Sequence, residues 1–192
     1  MTVRYAQYLS VVASAACICV VAQDLLLRHS NDQVRVTAPR LHFLTGKPLE
    51  RMRNGASVTY DMQLIILADN RQAILRRAFE RFVLSYDLWE EKFSATRMRT
   101  ERTSAAHLSA DAAESWCLDH LAMPTGGLAF DKPVYVRLDV RAQEPKEKRS
   151  LDENDGISLA RLIEIFSKAG TPGSGGQWRA EAGPIQLQNL KP

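Results

Sequence analysis

The clearest alternation of apolar and polar side chains runs through ASVTYDMQLIIL, where Val58, Tyr60, Met62, Leu64 and Ile66 fall on one face against Thr59, Asp61 and Gln63. A period of two over this length predicts a strand with one face turned to a core. The same period returns in KPVYVRLDVRAQ, with Val134, Val136, Leu138 and Val140 inward and Tyr135, Arg137, Asp139 and Arg141 outward. A shorter run, VRVTAPRLHF from Val34, is broken by Pro39 and reads as an edge strand, or two short ones. FVLSYDLWEEKFSATRM reads as a hairpin, with Phe82 to Tyr86 going out, Lys92 to Arg97 returning, and Asp87 to Glu91 turning between them. The stretch from Asp69 to Leu84 carries two periods at once. Ile74, Leu75, Ala78, Phe79, Phe82 and Val83 fit a helix, Phe82, Leu84, Tyr86 and Leu88 fit a strand, and the pattern alone does not choose. In either case Arg71, Arg76, Arg77 and Arg81 are expected to make one face basic and solvated.

Helical spacing is plain in ADAAESWCLDHLA. Ser109 is a suitable N-cap, Asp111 and Glu114 sit near the positive end of the dipole, and Ala112, Ala113, Trp116, Cys117 and Leu121 supply an apolar stripe. This predicts a helix from about Ala110 to Ala122. A second amphipathic helix is expected over about Ile157 to Ala169, with Leu159, Leu162, Ile163 and Phe166 on one face. Thr45 to Pro48 and Asn54-Gly55 read as turns, EPKEKRSLDENDG as a solvated loop and GTPGSGG as a flexible linker. After the linker, QWRAEAGPIQLQNL either adds a short strand or drapes over the body. The elements together predict an α+β fold, a mainly antiparallel, sandwich-like β-sheet with about two amphipathic helices packed on it. A single globular domain is expected over residues 34–169, followed by a Gly-rich linker and tail over 170–192.

The N-terminus changes the picture. Arg4 is the one charge in Met1 to Tyr8, and the uncharged run LSVVASAACICVVA follows from Leu9 to Ala22, with Val20 and Ala22 three and one places before Gln23. That is the shape of an export signal cleaved after Ala22, with a retained membrane anchor as the alternative. The expected location is therefore the periplasm or cell envelope. Of 3 cysteines, Cys17 and Cys19 lie in this segment, and Cys117 is left to act as a small apolar core residue. With 25 basic and 22 acidic residues the net charge is only +3, spread along the chain, which gives no support to a nucleic-acid partner. Membrane contact is expected only through the N-terminal segment, if uncleaved.

The Asn54-Gly55 lead into VTYDMQLIIL, the arginine-rich approach to RFVLSYDLWEEKF, the helix opening at Ser109 and the strand VYVRLDVR stand in an order that resembles an uncharacterised bacterial family of exported or membrane-anchored proteins, one of the domains of unknown function. The resemblance covers about Val34 to Glu144. It implies an extracytoplasmic domain accessory to membrane signalling or an envelope system, and it brings no catalytic motif. The Gly-rich tail after Ala169 departs from the family's pattern.

Candidate chemistry is sparse. Ser85, His107, Asp87 and His120 are nominal parts of a nucleophilic site, but none lies in an elbow motif. Cys117 and His120 are spaced to share a helical face with Asp119 close by, yet a metal would need a third ligand from His107, His42 or an acid elsewhere. No metal and no cofactor is expected from these patterns; the glycines of TPGSGG lack the lysine and helix start of a phosphate cradle. The most suggestive feature is the cluster of Tyr86, Trp89 and Phe93 among charges at the hairpin, with Arg97 and Arg99 close behind. Aromatics beside charges form recognition surfaces, so these five residues are the candidate binding site. The expected function is a non-enzymatic interaction domain for a protein or cell-envelope partner, with an envelope hydrolase assembled from distant residues as the alternative.

Overall fold

The computed structural model describes residues 25–144 and 176–190. Within them the order is β1 (Leu26–Ser30), β2 (Gln33–Thr37), α1 (Gly46–Arg53), β3 (Val58–Ala68), β4 (Ile74–Asp87), β5 (Lys92–Arg97), β6 (Thr103–Leu108), α2 (Ala110–Asp119), β7 (Met123–Pro124), β8 (Pro133–Ala142) and β9 (Gln177–Gln186). The expected export segment and the helix expected over Ile157 to Ala169 lie outside the described residues.

One sheet has the order β6-β5-β4-β3-β8-β9 and a smaller one the order β1-β2-β7. All their pairings are antiparallel. The fold is thus α+β and mainly antiparallel, as the alternating runs predict. In register, Tyr60 of β3 faces Phe82 on β4 and Ala142 on β8, and Leu64 faces Ala78 and Leu138. Directly opposed residues share a face. That face carries the apolar core, interrupted on β4 by Arg76 and Glu80, and α1, α2, the small sheet and the segments joining them close on it through Met52, Phe43, Ala113, Cys117, Leu121, Met123, Val34 and Val36.

The ambiguous stretch resolves as a strand. Pairing with β3 places Phe82 and Leu84 in the core beside Tyr60 and Val58, a gain of burial that a helix in the same place would forfeit. The single basic face expected there does not form. Arg76 lies on the core side and donates to the Gly126 carbonyl, whereas Arg81 points the other way and pairs with Asp61 at 2.6 and 3.0 Å. Asp61 and Gln63, expected on a solvated face, are fully buried. β3 is an inner strand of the large sheet, and the Arg81 side chain of β4 lies over it. Asp61 is held there by Arg81 and by the Gln143 amide at 2.9 Å.

Two short elements were not legible as such. The turns at Thr45 to Pro48 and Asn54-Gly55 are the two ends of α1. Pro48 is tolerated in its first turn, and Gly55, at φ +82°, closes the C-terminus by donating to the Met52 carbonyl. The segment at Thr103 to Leu108 is β6, the edge of the large sheet. Helix α2 begins as predicted, Ser109 accepting from the Ala112 amide at 3.2 Å. It stops at Asp119 rather than Ala122, because the chain turns to pair Met123 with Val34. The body also reaches beyond residue 34 and past 169: β1 pairs with β2, and the C-terminal QWRAEAGPIQ takes the strand option as β9 on β8.

Candidate functional site

The β4–β5 hairpin is built from an apolar stem and a polar turn. In the stem Leu84 opposes Ala95 and Tyr86 opposes Phe93. Phe93 is only 5% exposed, and its ring meets that of Tyr86 at 4.8 Å between centroids. The guanidinium of Arg53 on α1 lies 6.0 Å from the Tyr86 ring. Asp87 then starts the turn, its Oδ1 accepting from the backbone amides of Trp89 at 2.8 Å and Glu90 at 3.1 Å. An aspartate that binds its own backbone two and three residues on is a strong turn former. The Glu90 amide, and after it that of Trp89, hold the Asp87 carboxyl below its ordinary range. Glu91 completes the turn at φ +54°, and the Glu90 carboxylate pairs with His107 Nδ1 on β6. The tip is therefore a fixed turn. It presents Leu88 and, at 96% exposure, Trp89.

The five candidate residues are consequently not equivalent. Phe93 belongs to the core and Tyr86 packs against it. Arg97 donates twice to the Glu80 carboxylate, at 3.0 and 2.8 Å, and Arg99 also forks onto Glu80. Glu80 itself is 3% exposed and lies on the core side of β4. The hydrogen bonds from Arg97 to Glu80 raise the pKa of that arginine further. Two guanidiniums committed to one buried carboxylate hold a strand register and are poorly placed to receive an anionic partner. Only Trp89 of the five stands free of the body. Leu88, 57% exposed beside it, was not among the candidates because in the sequence it fits the strand's inward period.

No family model, no curated protein and no solved structure matches the chain. Its geometry therefore carries the argument.

The nominal catalytic groups do not converge. Ser85 sits on β4 opposite Ser94, Asp87 is engaged in its turn and His107 in its pair with Glu90. His120 Nδ1 donates to the Trp116 carbonyl at 2.7 Å, with its ring 4.1 Å from that of Trp116. Cys117 is fully buried, and burial, with Glu114 nearby, pushes its thiol well above the usual range, so it is neither a ligand nor a nucleophile. An open depression of about 390 Å³ lies over the β1–β2 hairpin, lined by Arg28, Ser30, Arg35, Thr37 and Asp119 among others. It holds neither a histidine nor a cysteine. Among the described residues, no helix is long and apolar enough to cross a membrane.

Proposed function

We propose that this protein is an extracytoplasmic, non-enzymatic interaction domain that seats the Leu88–Trp89 tip in an apolar pocket of a protein partner. The observation that carries this reading is Trp89, 96% exposed on a turn fixed by Asp87. Large aromatics on a surface stay in water at a cost, and tryptophan is the residue most enriched where binding energy concentrates. Removing about 200 Å² of indole and flanking surface from water is worth on the order of 5 kcal/mol before association costs. A turn already fixed by hydrogen bonds lowers the ordering cost of docking. The extracytoplasmic location rests on the pattern of Leu9 to Ala22 and on the resemblance of the chain's element order to an exported family.

The test is affinity capture of the full chain from gently solubilised envelopes of its own host, with a photo-crosslinking residue in place of Leu88 and a Trp89→Ala variant alongside. A partner protein crosslinked at position 88 and lost in Trp89→Ala supports the reading. Recovery of the protein alone, or capture indifferent to Trp89→Ala, overturns it. The N-terminus of the exported chain, read by mass, is expected at Gln23.

A further inference from the structure

A second cluster lies apart from the hairpin tip, where the segment between β2 and α1 meets the first turns of α2. We infer that His42, Asp111 and Glu114 form a binding site for a first-row divalent cation of the zinc and manganese class. Asp111 and Glu114, three apart on α2, share one helical face. His42 Nδ1 lies 3.1 Å from Glu114 Oε2 and 4.0 Å from Asp111 Oδ1, and the three donor atoms all fall within 4.8 Å of one another. Ligands about 2.1 Å from a common ion stand roughly 3 to 3.6 Å apart, so side-chain adjustments of less than an ångström or so close the set.

One donor, Glu114, is held by buried structure, and the backbone beside His42 is bound to it. Glu114 is 6% exposed, and its Oε1 accepts from the backbone amides of Phe43 at 2.6 Å and Leu44 at 2.7 Å. The Phe43 ring is fully buried against Tyr60, whose hydroxyl donates to the Phe43 carbonyl. These contacts fix His42 over the helix and leave Oε2 of Glu114 as its one oxygen turned to the cluster. Among the described residues neither carboxylate is paired with an arginine or a lysine, so the two anions face each other with only His42 between them. A divalent cation offsets that repulsion directly. It takes the Nδ1 lone pair, with the ring hydrogen carried on Nε2, and one oxygen from each acid. His42 and Asp111 are open to solvent, with 57% and 86% of their side chains exposed, which provides an entry path. Three protein ligands also leave a coordination position for water or a ligand. One imidazole nitrogen with two carboxylate oxygens favours zinc or manganese over magnesium or calcium, which prefer all-oxygen sites.

The sequence alone pointed elsewhere, offering His42 only as a third ligand for Cys117 and His120. The fold buries Cys117 and turns His120 onto Trp116, and brings His42 to the opposite end of the same helix.

The experiment is calorimetric titration of the untagged full chain with zinc chloride and manganese chloride, and with magnesium chloride as the contrast. One zinc per chain is expected, with at least a tenfold weakening in each of His42→Ala and Asp111→Asn, on the scale that loss of site residues produces. No change is expected in His107→Ala, which removes the exposed histidine of β6 that pairs with Glu90, and magnesium should give no heat. Both informative substitutions are at exposed side chains, so far-UV circular dichroism should be unaltered and a lost site cannot be confused with a lost fold. Absence of zinc binding, or zinc binding that survives both His42→Ala and Asp111→Asn, overturns the assignment. Neither result bears on the hairpin tip.

Discussion

The stem and the tip of the β4–β5 hairpin are separated by a few residues and use the same vocabulary of aromatics and charges, yet they do opposite things. In the stem, Phe82 and Leu84 are fully buried, Phe93 nearly so, and Arg97 and Arg99 are drawn onto Glu80. At the tip, Leu88 and Trp89 face solvent while the charged Asp87 is spent on its own backbone. Composition therefore does not separate an exposed surface from a core. What separates them is where the cross-strand register ends: up to the Asp87 and Lys92 pair every inward residue has a partner across the ladder, and beyond it none does.

Breaking the stem should cost most. Phe82→Ala removes a fully buried ring that meets Trp116 of α2 at 6.0 Å, and is expected to lower stability by about 3–5 kcal/mol in urea denaturation. A loss under about 1 kcal/mol would show that the stem does not hold the sheet to the helix. Next comes Glu80→Ala. It leaves the guanidinium of Arg97, 19% exposed, beside Arg99 without their shared carboxylate, and an abandoned charge of this kind costs on the order of 3 kcal/mol. The double variant with Arg97→Met should recover part of that loss, since removing both partners of a buried pair costs less than removing one. The sharpest contrast is then Trp89→Ala, which should move stability by no more than about 0.5 kcal/mol, as for surface positions without structural contacts, while abolishing partner capture.

The contrast also explains how much could be read in advance. Alternation in β3 and β8 and the cap at Ser109 announced the antiparallel sheet and α2, because each is a local pattern with a local cause. The stretch leading into the hairpin was undecided because Phe82 satisfies both periods, and only pairing with Tyr60 across the sheet settles it. Short α1 was invisible because its buried residues are Pro48 and Met52 alone, too few for a periodic stripe, although Gly46 and Gly55 marked its ends. Within the candidate site, Trp89 is exposed, whereas Arg97 and Arg99 are engaged by Glu80. Their partner Glu80 reads in sequence as one more charge in an arginine-rich run, and its burial is a consequence of register. The cluster at His42 was likewise beyond local pattern, since its members come from segments about seventy residues apart that meet only when Phe43 docks under α2.

The smallest expected effect tests the turn itself. With its carboxyl held below the ordinary value of 3.8 by the Glu90 and Trp89 amides, ionised Asp87 favours the formed turn at any pH above that value. As pH falls from 3.8 through the lower folded value, the unformed turn takes up the proton first, and the contribution is lost. The group is fully exposed, so global stability should barely register this. The amide nitrogen and proton shifts of Trp89 and Glu90 should register it clearly, titrating together with a midpoint below 3.8. In Asp87→Asn the titration should vanish while the two amides stay near their neutral-pH positions, because the side-chain carbonyl still accepts. A midpoint at or above 3.8, or amides that do not respond, would mean that Asp87 does not fix the turn. Trp89 would then be exposed on a loose loop rather than presented on a formed one, and docking would carry the ordering cost that the proposed function takes to be already met.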